Sequence, residues 1–117
     1  YLWGGNSRLG FDCSGFVQAI LKYFGINFER DTSIQLENRL LKEIDIKNIN
    51  KADLVYFYIN DIVNHVGFII DENTIIHSSG NVIIESIQDV ISRLNIDDKV
   101  RITTKIVSIN KLLRNKV

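Results

Sequence analysis

Apolar residues recur at steps of three and four early in the chain. Cys13, Phe16, Val17, Ile20, Leu21 and Phe24 form one stripe, the period of a helix with one face on a core. Asp12 precedes the stripe as an N-cap, and Gly25 follows it as a C-terminal stop. A second helix is expected over 30–43, opened by Thr32 and Gln35 at capping-box spacing. After residue 50 the period changes to two. Strands are expected at 53–58, 64–70, 74–79, 82–85 and 101–108, with a short helix at 89–94. The tail 110–117 is basic and carries no clear pattern. Residues 1–11, with Gly4, Gly5 and Gly10, read as a loop. Helices first and strands afterwards predict an α+β fold: an antiparallel sheet packed against an N-terminal helix.

The 117 residues suit one domain, 1–117, with a single core that needs no staple. Fourteen basic residues balance fourteen acidic ones, so net charge offers no footprint for nucleic acid or anionic lipid. No apolar run approaches the ~20 residues that span a bilayer, and no membrane insertion is expected. The chain opens at Tyr1 without Met and is expected to be a piece of a longer precursor. There is no Gly-rich nucleotide fingerprint.

Candidate chemistry begins with the lone cysteine. Cys13 stands at the start of the first helix, where free N–H groups and the helix dipole favour a thiolate. It also belongs to the apolar stripe, so a plain core role competes with a reactive one. The only two histidines, His65 and His77, flank one hairpin whose turn lies around Asp71, Glu72 and Asn73. An odd loop would put both rings on one face, and three turn-forming residues favour that case. Cys13, His65 and His77 then fit a nucleophile, a base and an orienting group. One Cys and two His also fit a zinc site, to which Asp53 or Asp12 could add a ligand. A single Cys ligand from a helix start is uncommon in such sites, and the reading carries no metal and no cofactor.

Two strings, Tyr1-Leu2-Trp3-Gly4-Gly5 and Phe11-Asp12-Cys13-Ser14-Gly15-Phe16, resemble the signature of NlpC-type peptidases. These are papain-like bacterial enzymes that cut peptidoglycan stem peptides. Arg30-Asp31-Thr32-Ser33-Ile34-Gln35, Asp53-Leu54-Val55-Tyr56-Phe57 and His65-Val66-Gly67 with Ile76-His77-Ser78-Ser79-Gly80 continue the resemblance in order, to about residue 86. The resemblance implies a papain-like fold, with Cys13 as nucleophile, His65 as base and His77 as its orienter. It places Tyr1 and the Cys13 N–H near the oxyanion. It assigns Asp12 to the free amine of the stem peptide and Ser14 and Thr32 to its D-Glu carboxylate, with Arg30 and Trp3 in support.

The implied reaction is hydrolysis of a γ-D-glutamyl–diamino acid bond through a thioester, with a stem peptide or muropeptide as partner. Alternatives are a silent wall-binding domain of the same fold, or a Cys–His amidase or acyltransferase. The resemblance fits a bacterial cell envelope or cytoplasmic wall recycling equally. It departs from the family at Glu29, where proline is usual. Relatives often carry an SH3-like module upstream, and one is expected in the longer chain.

Overall fold

The computed structural model describes residues 12–95 and 98–114. Helix α1 spans Cys13–Tyr23, and Asp12 caps it: its Oδ1 accepts the Gly15 N–H at 2.8 Å. At the other end Gly25 takes a left-handed φ of 84°. The Gly25 N–H donates to the Lys22 carbonyl and the Ile26 N–H to that of Leu21. This is a Schellman ending, which frees the chain only where glycine tolerates positive φ. The stripe behaves as expected through Leu21. Phe24 leaves it: as the C-cap residue it lies beyond the last helical turn and is 56% exposed.

The second helix is much shorter than the sequence predicts. Helix α2 covers only Thr32–Gln35. Asn38 ends it by competing for the backbone: its Oδ1 accepts the Leu40 N–H at 2.8 Å and its Nδ2 donates to Glu29 at 3.0 Å. The capping box is also absent. Asp31 is the N-cap residue and makes no side-chain cap bond, while Gln35 turns inward. Beyond Asn38 the chain extends into β1, Lys42–Ile44, which pairs with the last strand.

The next elements follow the predicted order: β2 (Leu54–Ile59), β3 (Ile62–Asp71), β4 (Thr74–Ser79), β5 (Asn81–Ser86), α3 (Ile87–Leu94) and β6 (Ile102–Ser108); the sequence predicted neither β1 nor the short helix α4 (Asn110–Arg114) that follows β6. The strands form one antiparallel sheet in the order β1-β6-β2-β3-β4-β5. Its two faces carry separate cores. On one, Phe16, Val17 and Leu21 of α1 pack on Leu54, Tyr56, Val66 and Phe68. On the other, Val90 of α3 packs with Val55, Phe57, Ile69 and Ile75. Period-two alternation along β2 and β3 divides the side chains between these cores.

Candidate active site

His65 and His77 share the α3 face of the sheet, and the Nε2 of His65 lies 2.5 Å from the Nδ1 of His77. The common face was expected, but its cause differs. The turn holds two residues, Glu72 and Asn73, and an even turn would have separated the rings. A register shift between Ile69 and Asp71 adds the extra residue that restores the parity. The His65 ring also faces Phe57, its cross-strand partner, at 5.8 Å between centroids.

Cys13 approaches the sheet from the α1 side, packed on the core of that face. The backbone N–H of Val66, the residue after His65, lies close enough to its thiol to favour the thiolate. The β3–β4 ladder ends at Phe68↔Ile76. The Ile69 N–H points toward β2, where it donates to Asp53. Alternation turns the Val66 N–H the other way, into the fork that opens between β3 and β4. Cys13 therefore meets the sheet at this fork, whereas both imidazoles project on the α3 side.

The electrostatics differ from the expectation of a thiolate. Burial pushes the Cys13 thiol above its ordinary value, and the neighbouring Asp12 carboxylate adds to this. The Val66 N–H opposes it only in part. Burial also lowers His65, to about 4, with His77 and Arg93 pushing the same way. His77 is lowered by burial, against the opposing bond from Glu85. At neutral pH the proton stays on sulfur and the imidazole is neutral.

Two further residues join the histidines without any earlier sign. The Oε1 of Glu85 lies 2.6 Å from the Nε2 of His77, and Arg93 of α3 pairs with the same oxygen. Only the β5 register reveals Glu85: it faces Ile75, two residues from His77 on the same face.

Asp12, Ser14 and Arg30 form a second cluster beside Cys13. The Arg30 Nη2 donates to Asp12 Oδ2 at 2.6 Å, and its Nη1 donates to the Ser14 hydroxyl at 2.9 Å. The bond from Arg30 holds the Asp12 carboxyl below the usual carboxylate range, assisted by the Gly15 N–H. Ser14 is buried, while Asp12 and Arg30 are exposed. Thr32 is half-buried at the start of α2. Among the described residues its hydroxyl makes no bond to this cluster. Gln35 is fully buried. Its amide donates to the carbonyls of Ser14 and Glu29 and accepts from the Tyr56 hydroxyl at 2.8 Å. It thereby ties α1, α2 and β2 together beneath the site. Tyr1 and Trp3 lie outside the described residues. Asp53 holds a turn, accepting from the N–H groups of Asn50 and Ile109. No cluster of three or more metal-binding side chains occurs among the described residues.

An N-terminal cysteine helix packed on an antiparallel sheet, with a histidine pair at the neighbouring strands, defines a papain-like α+β domain. The sequence profile of the NlpC/P60 family matches residues 1–100, and the chain belongs to that family. It is 38% identical over 81 residues to the γ-D-glutamyl-L-lysine dipeptidyl-peptidase of Bacillus cereus, covering 67% of this chain and 24% of that protein. It is 37% identical over 92 residues to the murein DD-endopeptidase MepS/murein LD-carboxypeptidase of Escherichia coli K12, covering 76% of this chain and 48% of that protein. The chain thus spans between about a quarter and a half of these relatives. A crystal structure from Staphylococcus aureus, described as similar to a lipoprotein of the NLP/P60 family, superposes with a TM-score of 0.64. It shares 24% identity, over 90% of this chain and 35% of that one, and supports the fold.

Proposed function

We propose that this domain is a cysteine peptidase that hydrolyses the γ-D-glutamyl–diamino acid bond of peptidoglycan stem peptides. The observation that carries the reading is the engagement of His65 Nε2 by His77 Nδ1 at 2.5 Å, on the strand whose Val66 N–H lies by the Cys13 thiol. That engagement leaves Nδ1 of His65 as the nitrogen able to take the thiol proton. The peptidase names of the relatives support the reaction class.

In this reading His65 acts as a general base on a neutral thiol. As the Cys13 sulfur attacks the γ-glutamyl carbonyl, its proton passes to His65 Nδ1. The tetrahedral oxyanion is met by the Cys13 backbone N–H, with Tyr1 beside it as the resemblance implies. His65 then gives the proton to the departing amine, which leaves a thioester on Cys13. Water, deprotonated by His65, hydrolyses the thioester and restores the thiol. Asp12 holds the free amine of the stem peptide. Ser14 and Thr32 serve the D-Glu carboxylate, and Arg30 and Trp3 support them.

The test is incubation of the protein with L-Ala-γ-D-Glu-L-Lys and its diaminopimelate counterpart, followed by mass spectrometry. Release of L-Ala-D-Glu is expected, with a loss of at least ~10³-fold in Cys13→Ala. Folded protein that cleaves neither peptide overturns the reading. Cross-linked muropeptides in the same panel separate it from the endopeptidase activity in the name of the Escherichia coli relative.

A further inference from the structure

Glu85 joins the histidine pair from a strand outside the motifs that point to the site. Its carboxylate faces the buried Nε2 of His77, and Arg93 of α3 grips the same oxygen. Arg93 also reaches the Ser79 hydroxyl at 3.3 Å. His77 is fully buried, so no water competes for its ring nitrogens.

These contacts fix the protons. A carboxylate can only accept, so His77 must carry its hydrogen on Nε2. Neutral His77 then presents a lone pair at Nδ1. That lone pair requires a donor, and the atom facing it is Nε2 of His65. His65 is thereby held with its proton on Nε2 and its lone pair on Nδ1.

We propose that Glu85 is a positioning residue which, clamped by Arg93, sets the tautomer of His77 and through it selects Nδ1 of His65 as the basic nitrogen. This deepens the peptidase reading and rests on it for its kinetic consequence, though the tautomer chain itself does not. Glu85 also stabilises the imidazolium that forms on His65 as the thiol proton transfers, since its charge raises His65 while that of Arg93 lowers it. The charged groups facing the pair are Glu85 from β5 and Arg93 from α3. No proton need leave Glu85: it serves as an orienting charge.

Long-range ¹H–¹⁵N spectra of the histidine-labelled protein at pH 7 test the first part without reference to activity. Both rings are expected as the Nε2–H tautomer. A Nδ1–H signature on His77 overturns the proposal, whatever the peptidase assay gives. Glu85→Gln removes the charge and can offer either an acceptor or a donor to His77, so a mixture of tautomers is expected. With the stem peptide, its kcat should fall at least ~10-fold at a KM within about twofold of the parent. The acidic limb of kcat/KM should move to lower pH. Glu85→Asp should retain the pH profile with an intermediate kcat. A Glu85→Gln protein with the parent tautomers, kcat and pH profile defeats the assignment. Should that variant not fold, the wild-type spectrum and Arg93→Met, expected to lower kcat by loosening Glu85, still decide it.

Discussion

Gly67 lies against His77. A Cβ placed on Gly67 would stand 3.0 Å from the Cβ of His77 and 3.0 Å from Cδ1 of Ile75. Both neighbours are fully buried. His77 is thus held against a strand position that has no side chain.

Gly67→Ala should push His77 away from His65 and Glu85. Overpacking of this kind costs about 1–3 kcal/mol. A lower melting temperature and at least a ~10-fold loss of kcat/KM are expected. Thermal unfolding and the stem-peptide assay measure the two separately. An alanine variant with parental kcat/KM would show that His77 need not be held there.

Acid should weaken the fold through His65. Its folded value of about 4 lies below the ordinary 6.5. The neutral ring's advantage is complete above pH 6.5 and is lost as pH falls toward 4, where the folded ring also protonates. At about 1.4 kcal/mol per decade, the loss is at most ~3.5 kcal/mol. Urea midpoints between pH 7 and 4 should fall more steeply in the parent than in His65→Gln.

The thiol should be protonated in the resting protein, because burial raises Cys13 and lowers His65. Thiolate absorbance near 240 nm, taken as the difference from Cys13→Ala, is expected to appear only in the alkaline range. Strong absorbance at pH 6 would instead indicate a preformed thiolate–imidazolium pair and exclude the general-base route. The acidic limb of kcat/KM should lie near pH 4.

Asp12→Asn separates capping from recognition. Asparagine caps a helix about as well as aspartate. The lost pair with Arg30 is exposed at 61% and 43%, so it contributes ~1 kcal/mol or less. The melting temperature should change little. Iodoacetamide should modify Cys13 faster at pH 8, because the Asp12 charge no longer opposes the thiolate. Cleavage of peptides with a free N-terminal amine should fall at least ~10-fold while N-acetylated peptides are cleaved as before, and an unchanged rate on the free-amine peptides would remove Asp12 from recognition.

Tyr56→Phe removes the hydroxyl that donates to buried Gln35. An unpaired buried amide oxygen costs about 1–3 kcal/mol. A clear drop in the urea midpoint is expected. A double variant with Gln35→Leu should recover part of it, since both polar partners are then gone. A midpoint unchanged in Tyr56→Phe would mean that the bond contributes nothing net.

Local chemistry was legible along the chain. The period of the stripe placed α1 on the sheet, Asp12 and Gly25 marked its ends, and alternation located five strands, with 74–79 matched at both ends. These depend on neighbours within a turn of helix or a step of strand, which the sequence displays directly. Other features depend on partners far along the chain. Residues 36–43 kept helical propensity until Asn38 and the edge of β6 claimed them. Whether His65 and His77 shared a face hung on one bulge residue, which no turn composition announces. The thiol's environment was set by the fold, because burial beside Val66 outweighs the favourable field of a helix start. Glu85 sits in a strand that looks ordinary until β5 pairs with β4. Neighbouring residues thus disclosed α1, five of the strands and the candidate cysteine and histidines; the extent of α2, the edge strand β1, the register and the placement of protons and charges came from the fold, because those energies arise between segments that are distant in the chain.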